Sequence, residues 1–289
     1  IDRIEIVKGA GSALYGSSAV AGSINIISRE PTFEPSVSLN VEYGNCGHKN
    51  YGASAGIRKN NIGVSVFAQR NEEKPLDETQ DGNTRKEVKH KDGISDRVES
   101  QMTNLGMGLY FFNPLKMGDK LILRGKVVDE QRRGGIMKDQ VFLNPFSEGT
   151  EFINTNRFHL DLNYNLPLSS KTTLNLSTAY VHHKRNATND TYLASYKESH
   201  NDESPDVEMM RPYLAKENSL TPSLTLTSRL GYHQITAGVQ GFVTNLRETG
   251  KYCIDDKDNT AYYGTSYTSI GKKKAHEIGA FIQDEWTNL

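Results

Sequence analysis

No run of about 18 apolar residues, the least that a membrane-crossing helix needs, occurs in this 289-residue chain. That excludes a helical span and nothing more. The strands of a membrane β-barrel alternate apolar with polar residues and are hydrophilic on average, as is this chain, with a mean hydropathy of −0.61. An excess of charge is missing too: the formal net charge is −1, which gives no reason to expect nucleic acid as a partner. Cysteine is scarce. Cys46 and Cys253 stand far apart, form no metal-ligand spacing and do not fix a redox compartment. No zinc motif and no nucleophile elbow occurs, so no catalytic residue, metal site or cofactor is expected. An initiating Met and a signal peptide are also missing, and the chain opens and closes beside strand-like runs. The expectation is a piece of a longer protein, whose lack of a leader says nothing about location.

Glycine is what the first 30 residues have in quantity. "VKGAGSALYGSSAVAGSINIIS" (7–28) follows an apolar strand, Ile4–Val7, and runs into a second, Ile24–Ile27. A dinucleotide-binding loop needs G-x-G-x-x-G between strand and helix. Gly9 and Gly11 fit that pattern, but the third position is Leu14 and Gly16 interrupts the presumed helix. Glycine within a helix costs about 1 kcal/mol relative to alanine. No succession of strands and helices follows, so the phosphate reading fails.

After Ser28–Pro35, where Pro31 and Pro35 suggest a linker, the period becomes two. Val37, Leu39, Val41 and Tyr43 alternate with polar or small residues. The same pattern recurs from Tyr51, Ile62, Leu105, Leu121, Phe158, Leu174, Leu220, Ile235 and Ile278, with Pro222 an awkward member of its run. These are ten strands. The connections at 58–61, 113–119, 167–171 and 229–232 are short, whereas 71–101, 130–152, 184–218 and 247–273 are long and polar. Apart from the short first connection near Gly44–Asn50, long and short alternate. A soluble sandwich also alternates apolar with polar, but its strands are usually about 5 or 6 residues long and long structureless loops are uncommon. Short turns at one end and long loops at the other describe an outer-membrane barrel. The fold class expected is therefore all-β, a transmembrane antiparallel barrel, with aromatics such as Tyr43, Tyr110, Phe111, Phe112, Tyr164, Tyr180 and Trp286 near strand ends as candidates for its girdles.

"IDRIEIVKGAGSALYGSSAVAGSINIIS" closely resembles the end of the plug domain of TonB-dependent outer-membrane receptors. Gly9, Ser12, Leu14, Tyr15, Gly16, Ala19, Gly22, Ile24, Asn25, Ile26 and Ile27 match the family pattern, Gly11 falls on one of its variable positions, and Ala10 stands where proline is usual. "AFIQDEW" (280–286) is similar to a recurring barrel-strand phrase of the family. The glycines then suit close packing inside a barrel rather than a phosphate. The resemblance implies the end of a plug domain over residues 1–30, a linker over 31–35 and the first part of the barrel over 36–289, about ten strands of a usual 22 or so. It implies energised import of a metal chelate (ferric siderophore, haem or cobalamin), without covalent chemistry on the ligand. The partners implied are the TonB complex, whose contact segment lies outside this stretch, outer-membrane lipid and lipopolysaccharide, and a surface lipoprotein. Rival readings are the same fold importing a glycan or peptide, and a passive porin or adhesion barrel, against which the plug motif argues.

Candidate ligand residues stand where strands leave for long loops. Arg132 and Arg133, in "DEQRRGG", suit an anionic chelate, because guanidinium pairs with carboxylates. The alternatives are pairing with Asp129 and Glu130, or arginines turned toward lipopolysaccharide phosphates. His182 and His183 are candidates for haem or metal contact, but neighbours in a strand point to opposite faces, so at most one faces the lumen. Asp255, Asp256, Asp258 and Asn259 resemble part of a calcium loop, without its central glycine and final glutamate. Gly44–His48 sets Cys46 beside His48 but reads as a hairpin turn.

Overall fold

The computed structural model describes residues 2–8, 22–74, 99–133, 151–189, 213–251 and 266–286. Gly9, Gly11, Ser12, Leu14, Tyr15, Gly16, Ala19, Cys253 and the 255–259 segment lie outside the described residues. Strands β1 (Arg3–Lys8) and β2 (Gly22–Ile27) pair antiparallel, Arg3 with Ile27 through Lys8 with Gly22. The remaining strands are β3 (Ser36–Tyr43), β4 (Lys49–Lys59), β5 (Ile62–Glu73), β6 (Glu99–Phe112), β7 (Lys120–Arg133), β8 (Glu151–Pro167), β9 (Thr172–Asn189), β10 (Tyr213–Leu230), β11 (His233–Lys251) and β12 (Ser266–Trp286). They form one ten-stranded antiparallel sheet in which each strand pairs with the next in sequence. All ten strands read from the alternation are present. The strand ends that flank the long segments lie at one end of the sheet, together with the short 3-10 turn Asn45–Gly47; the tight connections lie at the other.

The strands run further than the alternation indicated. Stretches read as loop from 71, 130, 184 and 247 are strand through Glu73, Arg133, Asn189 and Lys251. The main-chain ladder needs no apolar residues, so it continues where both faces are polar and the period-two signal has gone.

Cross-strand register sorts the side chains into two faces. Phe111, Leu121, Tyr164, Leu176, Leu224, Val239 and Ala280 stand opposite one another in sequence across seven strands. One residue along each strand lies the alternate row, Tyr110, Ile122, Asn163, Ser177, Ser223, Gln240 and Gly279. The apolar face is the exposed one: Leu39 is 78% exposed, Val239 47% and Ile278 85%. The buried apolar residues Tyr110, Ile122, Val128 and Ala187 all sit on the polar face. A sheet in water does the reverse. Tyr110 and Phe112 therefore do not belong to an outer girdle, because their parity turns them to the polar face; Phe111, Tyr164 and Trp286 keep apolar-face positions. Pro222 pairs with Thr178 of β9, while the ladder to β11 skips Thr221 and Pro222 and resumes at Ser223–Gln240. A residue without an N–H leaves such a gap.

The β6–β7 turn is built on Asp119, which is 2% exposed. Its Oδ2 accepts hydrogen bonds from the backbone N–H of Leu115 at 3.1 Å and Lys116 at 3.2 Å, and from the Tyr164 hydroxyl at 2.6 Å. Burial pushes the carboxyl up. The hydrogen bonds from Tyr164, Leu115 and Lys116 and the nearby Lys116 charge outweigh that and hold it below the ordinary carboxylate range. A depressed carboxyl stabilises the fold above its unfolded pKa, about 3.9, and that stabilisation fades as pH falls through the lower folded value. Reversible unfolding of the full-length protein should show Asp119→Asn less stable than the native protein by a constant margin above about pH 5, narrowing on acidification.

The two faces make a second expectation. Arg placed at Val239, mid-strand on the apolar face, should destabilise a membrane-embedded sheet by about 2–4 kcal/mol, and Arg at Gln240 by less. Unfolding of each variant in lipid vesicles measures both; equal costs would mean the faces are assigned wrongly.

Candidate functional site

The polar face gathers charge toward the long-loop end. Met102, Glu130, Thr155, Arg185, Ala215 and Glu248 stand in register across β6–β11, and beside them run Asn104, Val128, Arg157, His183, Glu217 and Leu246. Glu130 is buried and central. Its Oε1 accepts from Arg132 Nε at 2.6 Å and its Oε2 from Arg157 at 3.1 Å. Glu217 accepts from the Thr244 hydroxyl at 3.2 Å. Thr155 and Asn104 are buried in the same region.

Of the four residues nominated for ligand contact, the structure brings Arg132 and His183 to this face. Arg132 is committed to Glu130 rather than standing free. His183 pairs in register with Arg157 and Glu217, and its Nε2 is buried without a hydrogen-bond partner among the described residues. Arg133 takes the next register position, opposite Glu99 and Phe152. His182 lies on the other face, where the Tyr180 hydroxyl and His182 Nδ1 both reach Asn218 Oδ1, at 2.9 and 2.8 Å. Glu130, Arg157, Glu217 and Thr244 were not nominated. Counting parity upward from the apolar band would have put them on one face with Arg132 and His183, but not in contact. Among the described residues no cluster of three or more His, Cys, Asp or Glu is placed to hold a metal ion. At the rim, Gly44–His48 forms the tight turn expected of it, and His48 reaches Glu73 at 3.3 Å and Glu42 at 3.7 Å.

At the other end the segment before β3 is fastened to this same polar face. Glu30 pairs with Lys120 at 2.6 Å, and the Thr32 carbonyl accepts the Arg58 N–H at 2.7 Å. The Arg58 guanidinium lies between two rings, 4.5 Å from the centre of Phe33 and 3.5 Å from that of Phe112. Pro31 is buried against Gly63, where an added Cβ would stand 2.6 Å from the proline ring. The stretch Glu30–Phe33 thus lies against the polar face.

No family model matches the sequence. Solved structures do match. The copper transporter OprC is similar at 15% identity with a TM-score of 0.67, over 98% of this chain and 39% of its own. A mutant of the ferric enterobactin receptor PfeA from Pseudomonas aeruginosa is similar at 15% identity and 0.65, over 97% of this chain and 41% of that one. The ferripyoverdine receptor of the outer membrane of Pseudomonas aeruginosa is similar at 13% and 0.64, over 98% and 39%. The fold is that of the barrel of TonB-dependent outer-membrane receptors. The chain spans about two-fifths of the length of these solved receptors.

Glu130→Gln should destabilise the full-length protein by about 1–2 kcal/mol, less than the roughly 3–5 of breaking a fully buried pair, because Arg132 and Arg157 both reach solvent. Denaturant unfolding in vesicles checks this, and Arg132→Gln in the Glu130→Gln background should add little, since the pair acts as a unit.

Proposed function

We propose that this chain is part of a TonB-dependent outer-membrane receptor that imports a metal chelate, a ferric siderophore, haem or cobalamin. Residues 1–30 are the end of its plug domain, 31–35 the linker, and 36–289 the first part of its barrel. One observation carries the reading: a plug-like sequence leads through Glu30–Phe33 onto the polar face of a sheet whose other face is an uncovered apolar band. A porin has no reason to fasten a preceding domain inside its wall. In this reading the apolar face meets lipid, the polar face with Glu130, Arg157 and His183 lines the lumen around the plug, and the long segments face outward. The siderophore and copper proteins of like fold support a metal-chelate cargo over a glycan or peptide. The protein is a transporter, not an enzyme; what it does to its ligand is bind and pass it on. Its partners are the TonB complex, outer-membrane lipid and lipopolysaccharide, and a surface lipoprotein.

Whole cells carrying the full-length receptor, with and without TonB, test this against a panel of ferric siderophores, haem, cobalamin, oligosaccharides and peptides. The expected result is binding of one metal chelate in both strains and uptake in the TonB-positive strain alone. Uptake that ignores TonB would make the protein a passive pore, and uptake confined to oligosaccharides or peptides would favour the rival cargo.

A further inference from the structure

On β9, β10 and β11 the apolar run of the apolar face gives way in the same order. The continuous apolar run closes toward the long-loop end at Tyr180, Leu220 and Val243, with Leu214 a single apolar residue beyond Lys216. His182, Asn218 and Asn245 come next on that face, and then Lys184, Lys216 and Arg247. On β12 Ile278 is followed by His276, Lys274 and Lys272. Register sets the cations directly opposite one another: Lys184 with Lys216, Lys216 with Arg247, Arg247 with Lys272. Lys274 lies in the adjacent row, opposite Asn245. At about 4.8 Å between strands, the four cations span roughly 14 Å.

Like charges placed directly opposite each other are unfavourable, and among the described residues no acid stands beside them on this face. None of the four makes an ion pair with a described residue. On the described part of these four strands the acids Glu217, Glu248, Glu277 and Glu285 are all on the polar face. The one acid on the apolar face, Asp284, is at the opposite end and pairs with His233 at 2.7 Å. A row of cations that begins where an apolar band stops, with its acids turned away, is matched by an anionic group held at the surface of a bilayer. Several cations within roughly 14 Å on one flat face suit a headgroup that carries more than one phosphate.

We propose that Lys184, Lys216, Arg247 and Lys272, with Lys274 beside them, bind the phosphate groups of lipopolysaccharide in the outer leaflet. The proposal rests on the membrane reading above and gives one of its partners a site. The long side chains lie along the sheet and present their charged ends at the headgroup level.

The test uses the full-length receptor purified from outer membranes in mild detergent, with retained lipopolysaccharide measured per receptor. Changing Lys184, Lys216, Arg247 and Lys272 together to Gln should lower retention by about tenfold or more. The same change at Lys126 and Lys273, on the polar face of β7 and β12, should leave it unaltered. Should the fourfold variant fail to fold, as judged by its migration on unheated gels, Lys216→Gln and Arg247→Gln singly should each lower retention. Wild-type receptor should bind vesicles containing lipopolysaccharide, lose that binding as salt rises, and bind vesicles with dephosphorylated lipopolysaccharide weakly. Undiminished retention by the folded fourfold variant would overturn the proposal, as would equal binding to phosphatidylglycerol vesicles or complete displacement by millimolar inorganic phosphate. Failure of the membrane reading itself would show differently, as wild-type protein absent from the outer-membrane fraction.

Discussion

The inter-strand hydrogen-bond ladder is the constraint on which everything else here depends. In hydrocarbon an unpaired N–H or C=O costs several kcal/mol, so a chain can turn an apolar face to lipid only if its backbone is satisfied strand against strand. β4–β11 each pair on both sides over most of their length. Once the ladder holds the main chain, side-chain hydrophobicity is free to face outward. That accounts for the inversion seen here, in which Leu39 and Ile278 are exposed while Tyr110 and Val128 are buried. Pro222 marks how local the ladder's tolerance is: one missing donor opens a gap toward β11 and leaves the pairing with β9 intact.

With the apolar residues committed outward, the polar face has to be held by other means. It uses cross-strand charge and hydrogen bonding, with Glu130 between Arg132 and Arg157 toward one end and Glu30 on Lys120 toward the other. The Arg58 guanidinium between Phe33 and Phe112 adds cation–π contact at the linker. These contacts do two kinds of work. Near the linker they fasten the preceding segment to the wall. Toward the long segments they fix arginines and a histidine together on one end of the polar face.

The same period of two that builds the wall also separates functions along a single strand. His182 and His183 are neighbours in sequence, yet one is tied to Asn218 on the outer face and the other stands among Arg157 and Glu217 on the inner. Lys216 and Glu217 divide in the same way, a cation to the outer row and an acid to the inner. A polar strand end that looks featureless in composition thus carries two surfaces of different chemistry.

Sequence alone determined the strands, their number and their order, because alternation is a local property and each strand meets only its neighbours in the chain. It also carries the resemblance of the opening residues to the end of a plug domain, through the density of matched positions from Gly9 to Ile27. The ends of the strands were not legible, since a ladder between two polar segments leaves no period in the hydropathy. Nor was the site: Glu130 reaches Arg157, 27 residues away, and Arg58 reaches Phe33 and Phe112, only once register has been chosen. The basic row decided itself last, because Lys184, Lys216, Arg247 and Lys272 are scattered in the chain and become one surface only when four strands are laid side by side.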